Sequence, residues 1–210
     1  MDDKWTQIPT DTVIKEHADA LASNNFETFV VETEEEARKK FFELVPEGSE
    51  VFTNTSKTLD ALGITKEINE SGKFVSLKNK VASMPAETPA QAREKRMVGS
   101  VPEYAVGSAH AVTKDGRIML ASGSGSQIPG YAYGADHVVF VIGVHKLVKD
   151  IDEGIERIYK HSLPLESIRI NEFYNTTTGS NPRRFFVMNS ENDMNKERTK
   201  VILVKKVLGF

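Results

Sequence analysis

The chain has 210 residues and not one is cysteine. That absence removes disulfides, thiol nucleophiles, zinc–thiolate centres and cysteine-ligated iron–sulfur clusters from its own chemistry. Histidine is scarce and badly spaced for metal. His17, His110, His137, His145 and His161 make neither an H-x-x-x-H nor an H-E-x-x-H pair, so no metal site is expected. Long apolar runs are missing as well. The longest, around Val138 to Val144, falls far short of the roughly 20 residues a membrane helix needs. Nor is there a strong charge of either sign: a net charge of -3 offers no general attraction for nucleic acid or for an anionic membrane. The opening "MDDKWTQIPT" is acidic and lacks the apolar centre of a secretory signal, so the expected location is the cytoplasm.

What remains is an ordinary globular composition, 39% apolar and 27% charged, with enough length to bury a full core. Thr10 and Asp11 open a helix whose apolar stripe is Ile14, His17 or Ala18, and Leu21. "FETFVVE" (26–32) reads as a strand, and Thr33 with Glu36 forms a capping box on "TEEEARKKFFELV". "SEVFTN" (49–54) is a second strand, Ser56 starts the helix "SKTLDAL", and "KFVSL" (73–77) is a third strand. This alternation is the mark of a parallel sheet wrapped by helices. Residues 79–102 are the least regular, although Thr88-Pro89 is a good start for a helix over "AQAREKRM", whose basic residues read as a solvated face. "AHAVT" (109–113) and "RIMLA" (117–121) form a hairpin about Asp115-Gly116. "HVVFVIG" (137–143) is a buried strand. Asp150 and Glu153 then cap "DIDEGIERIYKH", with Ile151, Ile155, Ile158 and Tyr159 as its apolar face. "RRFFVM" and "TKVILVKKV" close the chain, joined by the polar "NSENDMNKER". One α/β domain over residues 1–210 is expected, its central sheet built from "FETFVV", "EVFTN", "RIMLA", "HVVFVI" and "TKVILVKK".

The stretch Ser122, Gly123, Ser124, Gly125, Ser126, Gln127 alternates hydroxyls and glycines between a strand and helical turns. Exposed backbone N–H groups and small side chains suit a phosphate or carboxylate, and they equally suit a plain turn. The specific fingerprints fail. A dinucleotide loop would need glycine where Ile128 stands, and a P-loop would need Lys and Ser/Thr where Tyr131 and Ala132 stand. Ser124 has Ser122, not glycine, two residues before it, so no nucleophile elbow is present. No cofactor is called for. His110 and His145 lie beside glycine-containing strand ends and serve either structural hydrogen bonding or chemistry, while His17 and His161 read as surface or helix-face residues.

"GSAHAVTKDGRIMLASGSGSQIPGYAYGADHVVFVIGVHKLVKDIDEGIERI", then "LPLESIR" and "VILVKKVLGF", resemble the lactate-utilisation (LUD) domain family, in particular its short single-domain members. "NTSKTLDALGI" (54–64) resembles that family's upstream loop. The resemblance implies a CoA transferase-like, Rossmann-like α/β fold, similar to ribose-5-phosphate isomerase and glucosamine-6-phosphate deaminase, with a parallel or mixed sheet flanked by helices. In such sheets ligands sit beyond the carboxyl ends of the strands. Asn54, Thr55 and Ser56, Gly107, Ser108 and His110, Ser122 to Gln127, and His145 with Lys146 would then meet on one rim. Rich in hydroxyl, amide and N–H donors, that rim favours a small anionic ligand.

The resemblance further implies a part in oxidising L-lactate to pyruvate alongside separate iron–sulfur proteins. Having no cysteine, this chain holds no such cluster itself, which leaves it the role of an accessory subunit in organic acid metabolism. Two alternatives stay open: a self-contained enzyme on a phosphorylated sugar or CoA thioester, and a ligand-binding regulator without turnover. A homo-oligomer is compatible with each. Glu103 is the candidate carboxylate, by analogy with the glutamate nucleophile of CoA transferases, or else a surface glutamate. Lys146 is either a counter-charge for a bound carboxylate or phosphate or a solvated strand-end lysine.

Overall fold

The computed structural model describes residues 3–210; Met1 and Asp2, the start of the stretch read for a secretory signal and of the expected 1–210 domain, lie outside the described residues. Thr10 accepts from Val13 N and opens α1 (Asp11–Ser23), which leads to β1 (Glu27–Val31). The capping box of Thr33 and Glu36 starts α2 (Glu34–Leu44), followed by β2 (Glu50–Thr53), α3 (Lys57–Ala61), α4 (Ile64–Glu70), β3 (Val75–Ser76), α5 (Leu77–Ser83) and α6 (Pro89–Ser100). Then come β4 (Tyr104–Gly107), β5 (Ala111–Thr113), β6 (Ile118–Ser122), β7 (His137–Gly143), β8 (Leu147–Val148), α7 (Ile151–Arg157), α8 (Leu163–Tyr174), β9 (Arg184–Met188) and β10 (Thr199–Val204).

Six strands pair in the order β1-β10-β7-β4-β2-β3, every pair parallel. Val138, Phe140 and Ile142 of β7 pack with Ile14 and Leu21 of α1 and with Val112, Ile118 and Leu120 of β5 and β6. Val139 and Val141 point the other way, into Ala37 and Phe41 of α2, Leu59 of α3 and Ile64 and Ile68 of α4. Both faces of the sheet are therefore covered, which is why β7 reads as an unbroken apolar run instead of an alternating one. The result is an α/β fold with a parallel central sheet flanked by helices. Among the described residues, no helix is long and apolar enough to cross a membrane.

A second sheet runs β8-β5-β6-β9. This corrects the expected strand list: "RIMLA" pairs antiparallel with β5 and β9 and is not in the central sheet. The tight turn at Asp115-Gly116 reverses the chain, and a reversed strand has no place in an all-parallel ladder. The central place falls to β4, four residues long, whose burial on every residue leaves no alternation to read. "KFVSL" contributes only Val75 and Ser76 to the sheet. The face expected for α7 is also corrected, because Ile155 and Tyr159 are exposed while Gly154 and Arg157 are buried. Gly154 packs closely there against the thioether end of Met119 of β6, which a Cβ would displace. His17 and His161, read as surface or helix-face residues, are both buried. The His17 ring bridges the backbone oxygens of Val13 and Val148, tying α1 to β8.

Candidate functional site

After β2 the chain moves outward to β3, whereas after β4 it moves inward to β7. The carboxyl ends of β2 and β4 thus flank a topological switch point, where an open α/β sheet has a natural crevice. A pocket of about 390 Å³ lies there, walled by Thr55 to Thr58 after β2, Ser108 to His110 after β4, the loop after β6 and Lys146 after β7. Its outer wall comes from the helical run of α7 and α8, which includes Ser162, Glu166 and Arg169. Between α7 and α8 the chain passes through a π-helical turn, Ile158–Ser162. Such turns shift side-chain register and recur at functional sites.

Lys146 is only 1% exposed. Its Nζ donates to Thr58 Oγ1 at 3.2 Å and to Ser108 Oγ at 3.3 Å. The Thr58 hydroxyl in turn donates to the carbonyl of Leu208 at 2.9 Å, so its lone pairs face the amine. Arg157 is completely buried; its Nη1 donates to the His110 carbonyl at 2.6 Å and to Ser162 Oγ at 3.1 Å, while Nε and Nη2 have no partner. Neither Lys146 nor Arg157 has a carboxylate partner among the described residues, whereas Arg169 pairs with Glu166 through two bonds of 2.6 Å. Burial, with the Arg157 charge beside it, holds the Lys146 amine well below its ordinary pKa. Burial also lowers Arg157 to about 10. His110 is pushed down to about 3 by burial, then by Lys146 and Arg157; the same three causes, in that order, carry His145 down to about 2. Burial and then Arg157 and Lys146 lower His161 to about 4.

The serine-glycine loop is tied to itself. Ser122 Oγ accepts from Gly125 N at 2.8 Å and donates to Gln127 Oε1 at 3.2 Å, and Ser124 Oγ donates to Ser126 Oγ at 3.0 Å. Gly125 sits at φ +82°, and a Cβ there would strike the Arg184 side chain, whose guanidinium donates to the Gly123 carbonyl. Gln127 thus has a partner in Ser122.

The structure brings Thr55, Ser56, Ser108, His110, Lys146 and all of Ser122 to Gln127 except Gly125 into the pocket wall. It places the others behind that wall. A Cβ on Gly107 would land on the Tyr131 hydroxyl and touch Asn54, so this glycine makes room for the buried Tyr131 ring behind the wall. Arg198 anchors that ring's segment by donating to the carbonyls of Gly130, Tyr131 and Ala135. His145 is buried beneath Lys146, against Gly143. Glu103 does not reach the site. It precedes β4, roughly 13 Å of strand from Gly107 at about 3.3 Å per residue, and its carboxylate accepts from Glu50 N at 2.8 Å. Lys146 is no solvated strand-end lysine. Sequence reasoning missed Arg157, Arg169 and Tyr131. A signal for Arg157 existed, since Gly154, Arg157 and His161 recur at helical spacing on one face.

A sequence model described as the LUD domain matches residues 14–204. The chain belongs to the LUD domain family. A crystal structure of a DUF162 family protein from Deinococcus radiodurans overlays with a TM-score of 0.56 at 10% identity, covering 93% of this chain and 99% of that one. At that identity the likeness bears on the fold of this LUD protein alone. The tetrameric eIF2B-beta2-delta2 complex from C. thermophilum overlaps more partially, with a TM-score of 0.32 at 15% identity over 59% of this chain and 47% of that one. No curated protein matches the chain.

Proposed function

We propose that this LUD protein binds a small organic anion in the pocket at the switch point. In this reading it serves as an accessory component of L-lactate or related organic acid utilisation, with the electron-transfer steps carried by separate iron–sulfur proteins. One observation carries the ligand class. Two buried basic side chains, Lys146 and Arg157, stand at the pocket or directly behind it without an acidic partner among the described residues. The buried Arg157 charge left uncompensated is costly, and an anion entering the pocket supplies the missing charge, with the Lys146 amine beside it as a polar contact. The family membership supports the metabolic setting, and the lack of cysteine supports the assignment of clusters to partners.

The test is calorimetric titration of L-lactate, pyruvate and inorganic phosphate into the purified protein, with native mass spectrometry of small molecules it retains. Binding is expected for at least one carboxylate. Lys146→Met should weaken it tenfold or more, since a charge-assisted bond contributes about 1.5–3 kcal/mol and a decade of affinity is about 1.4 kcal/mol. Absence of binding by all three anions, or equal affinity in the variant, refutes the reading.

A further inference from the structure

The hydrogen bonding of Lys146 deepens the anion reading, and the chemistry inferred for its amine rests on that reading. The Nζ has two hydrogen-bond partners among the described residues, Thr58 Oγ1 and Ser108 Oγ, and these hydroxyls lie 3.3 Å from each other. An ammonium group has three N–H donors, so one would stay unmatched in a nearly dry wall, with no carboxylate partner among the described residues. A neutral amine has two, and both are matched. Its lone pair is then left free.

We propose that Lys146 is a nucleophilic amine that forms an imine with the carbonyl of a 2-oxo acid bound in this pocket. Attack of the Nζ lone pair on the carbonyl carbon forms a C–N bond, and the carbonyl oxygen takes up a proton. Loss of that oxygen as water, carrying both amine protons in the net balance, leaves C=N. No oxidant or reductant enters. The surroundings suit each part of the ligand. Burial and the Arg157 charge shift the amine toward its neutral form, the form a carbonyl-attacking lysine uses. His110, in the pocket wall, accepts from Ala121 N at its Nδ1, so the neutral ring carries its proton on Nε2 as a donor. In the wall Arg169 is paired with Glu166, whereas Arg157 behind His110 and Ser162 has no carboxylate partner among the described residues, so its charge is left for the acid group of the ligand. A 2-hydroxy acid shares that acid group but has no carbonyl, so it binds without bonding to the amine.

The experiment is borohydride trapping. The protein is incubated with pyruvate, 2-oxobutyrate or glyoxylate, reduced with sodium borohydride, and characterised by intact mass and peptide mapping. The expected result is one reduced adduct per chain with at least one of the three acids, mapped to Lys146. It should be lost in Lys146→Met and lowered by excess L-lactate. Mapping in the wild-type protein locates the bond whether or not the variant folds. No adduct with any acid, or adducts scattered over surface lysines and unchanged in the variant, overturns the imine. A melting temperature raised by pyruvate without an adduct overturns the imine and leaves the anion site standing. No stabilisation and no adduct overturns both.

Discussion

Mild acid should destabilise this protein well before its carboxylates titrate. His110, His145 and His161 are held down to about 3, 2 and 4, chiefly by burial and then by the Lys146 and Arg157 charges. The unfolded chain has ordinary histidines near pH ~6.5. Below that pH the unfolded state binds protons that the folded state refuses, so acid draws the equilibrium toward unfolding. The stability held by these neutral rings is therefore intact above pH ~6.5 and is lost progressively as pH falls toward their folded values. At pH 5 each ring costs about 2 kcal/mol, taking about 1.4 kcal/mol per unit of pH. The three share the same two neighbours, Lys146 and Arg157, so their sum is an upper bound, and about 3–6 kcal/mol is expected from a total stability of about 5–15. That corresponds to a fall in Tm of about 10 °C or more for a chain of this length. Asp150 and Glu153, both lowered below the usual carboxylate range, lose their contribution only at more acid pH. From pH 7 to 5 the histidines therefore act before the carboxylates, in the same direction as the lowered Lys146 amine. Urea unfolding at pH 7, 6 and 5 measures the effect, and His161→Gln should reduce the pH slope by up to about a third, being one of three rings beside the lowered Lys146 amine. A midpoint that stays level from pH 7 to 5 would show that these rings are not buried neutral, and the account of the cationic cluster would fall with it.

Further perturbations separate scaffold from site. Gly107→Ala places a methyl on the Tyr131 hydroxyl and should cost about 1–3 kcal/mol in urea unfolding. Adding Tyr131→Phe should recover only part of this, because the ring carbon stays 3.2 Å from the new methyl; full additivity would refute the contact. Glu103→Gln keeps an acceptor for Glu50 N, so the affinity for any anion bound at the pocket should stay within about twofold, well under the 1.4 kcal/mol of a decade. A larger change in titration would show that the carboxylate reaches the ligand.

The helices were legible where caps and periodicity coincided, as at Thr33 with Glu36 and at Thr88-Pro89, since both are local hydrogen-bond patterns written within four residues. The paired strands of the central sheet were legible through length and apolar content, β7 above all. β4 was not, because four uniformly buried residues carry neither period nor turn signal. The hairpin was read correctly as a hairpin, yet its sheet was misassigned: partner strands lie far away in sequence, and only tertiary pairing with β9 reveals the second layer. In the pocket, the loops after strands were legible because the switch-point geometry follows from topology. The chemistry was not. Lys146 could be read as a counter-charge or as a solvated strand-end lysine, because nothing within ten residues announces that Thr58 and Ser108 will cover it.

Arg157 shows why such a residue escapes a periodicity argument. Its helix has apolar residues enough for a buried face, Ile151, Ile155 and Ile158, yet the fold turns Ile155 outward and Arg157 in. The π-helical turn that follows and the close approach of Gly154 to Met119 fix that rotation. The inward guanidinium then lends its charge to every titratable group around it, lowering Lys146, His110, His145 and His161 together. A core built for stability alone would have an aliphatic side chain there, since replacing buried charge by apolar volume is often neutral or stabilising. The cluster weakens the empty protein, and an anion that binds it returns stability by mass action, about 2.7 kcal/mol at a hundredfold excess over Kd. Positive charge without a carboxylate partner beside one crevice, with an amine shifted toward its neutral form inside it, is what the proposed ligand, carrying both an acid group and an electrophilic carbon, would require.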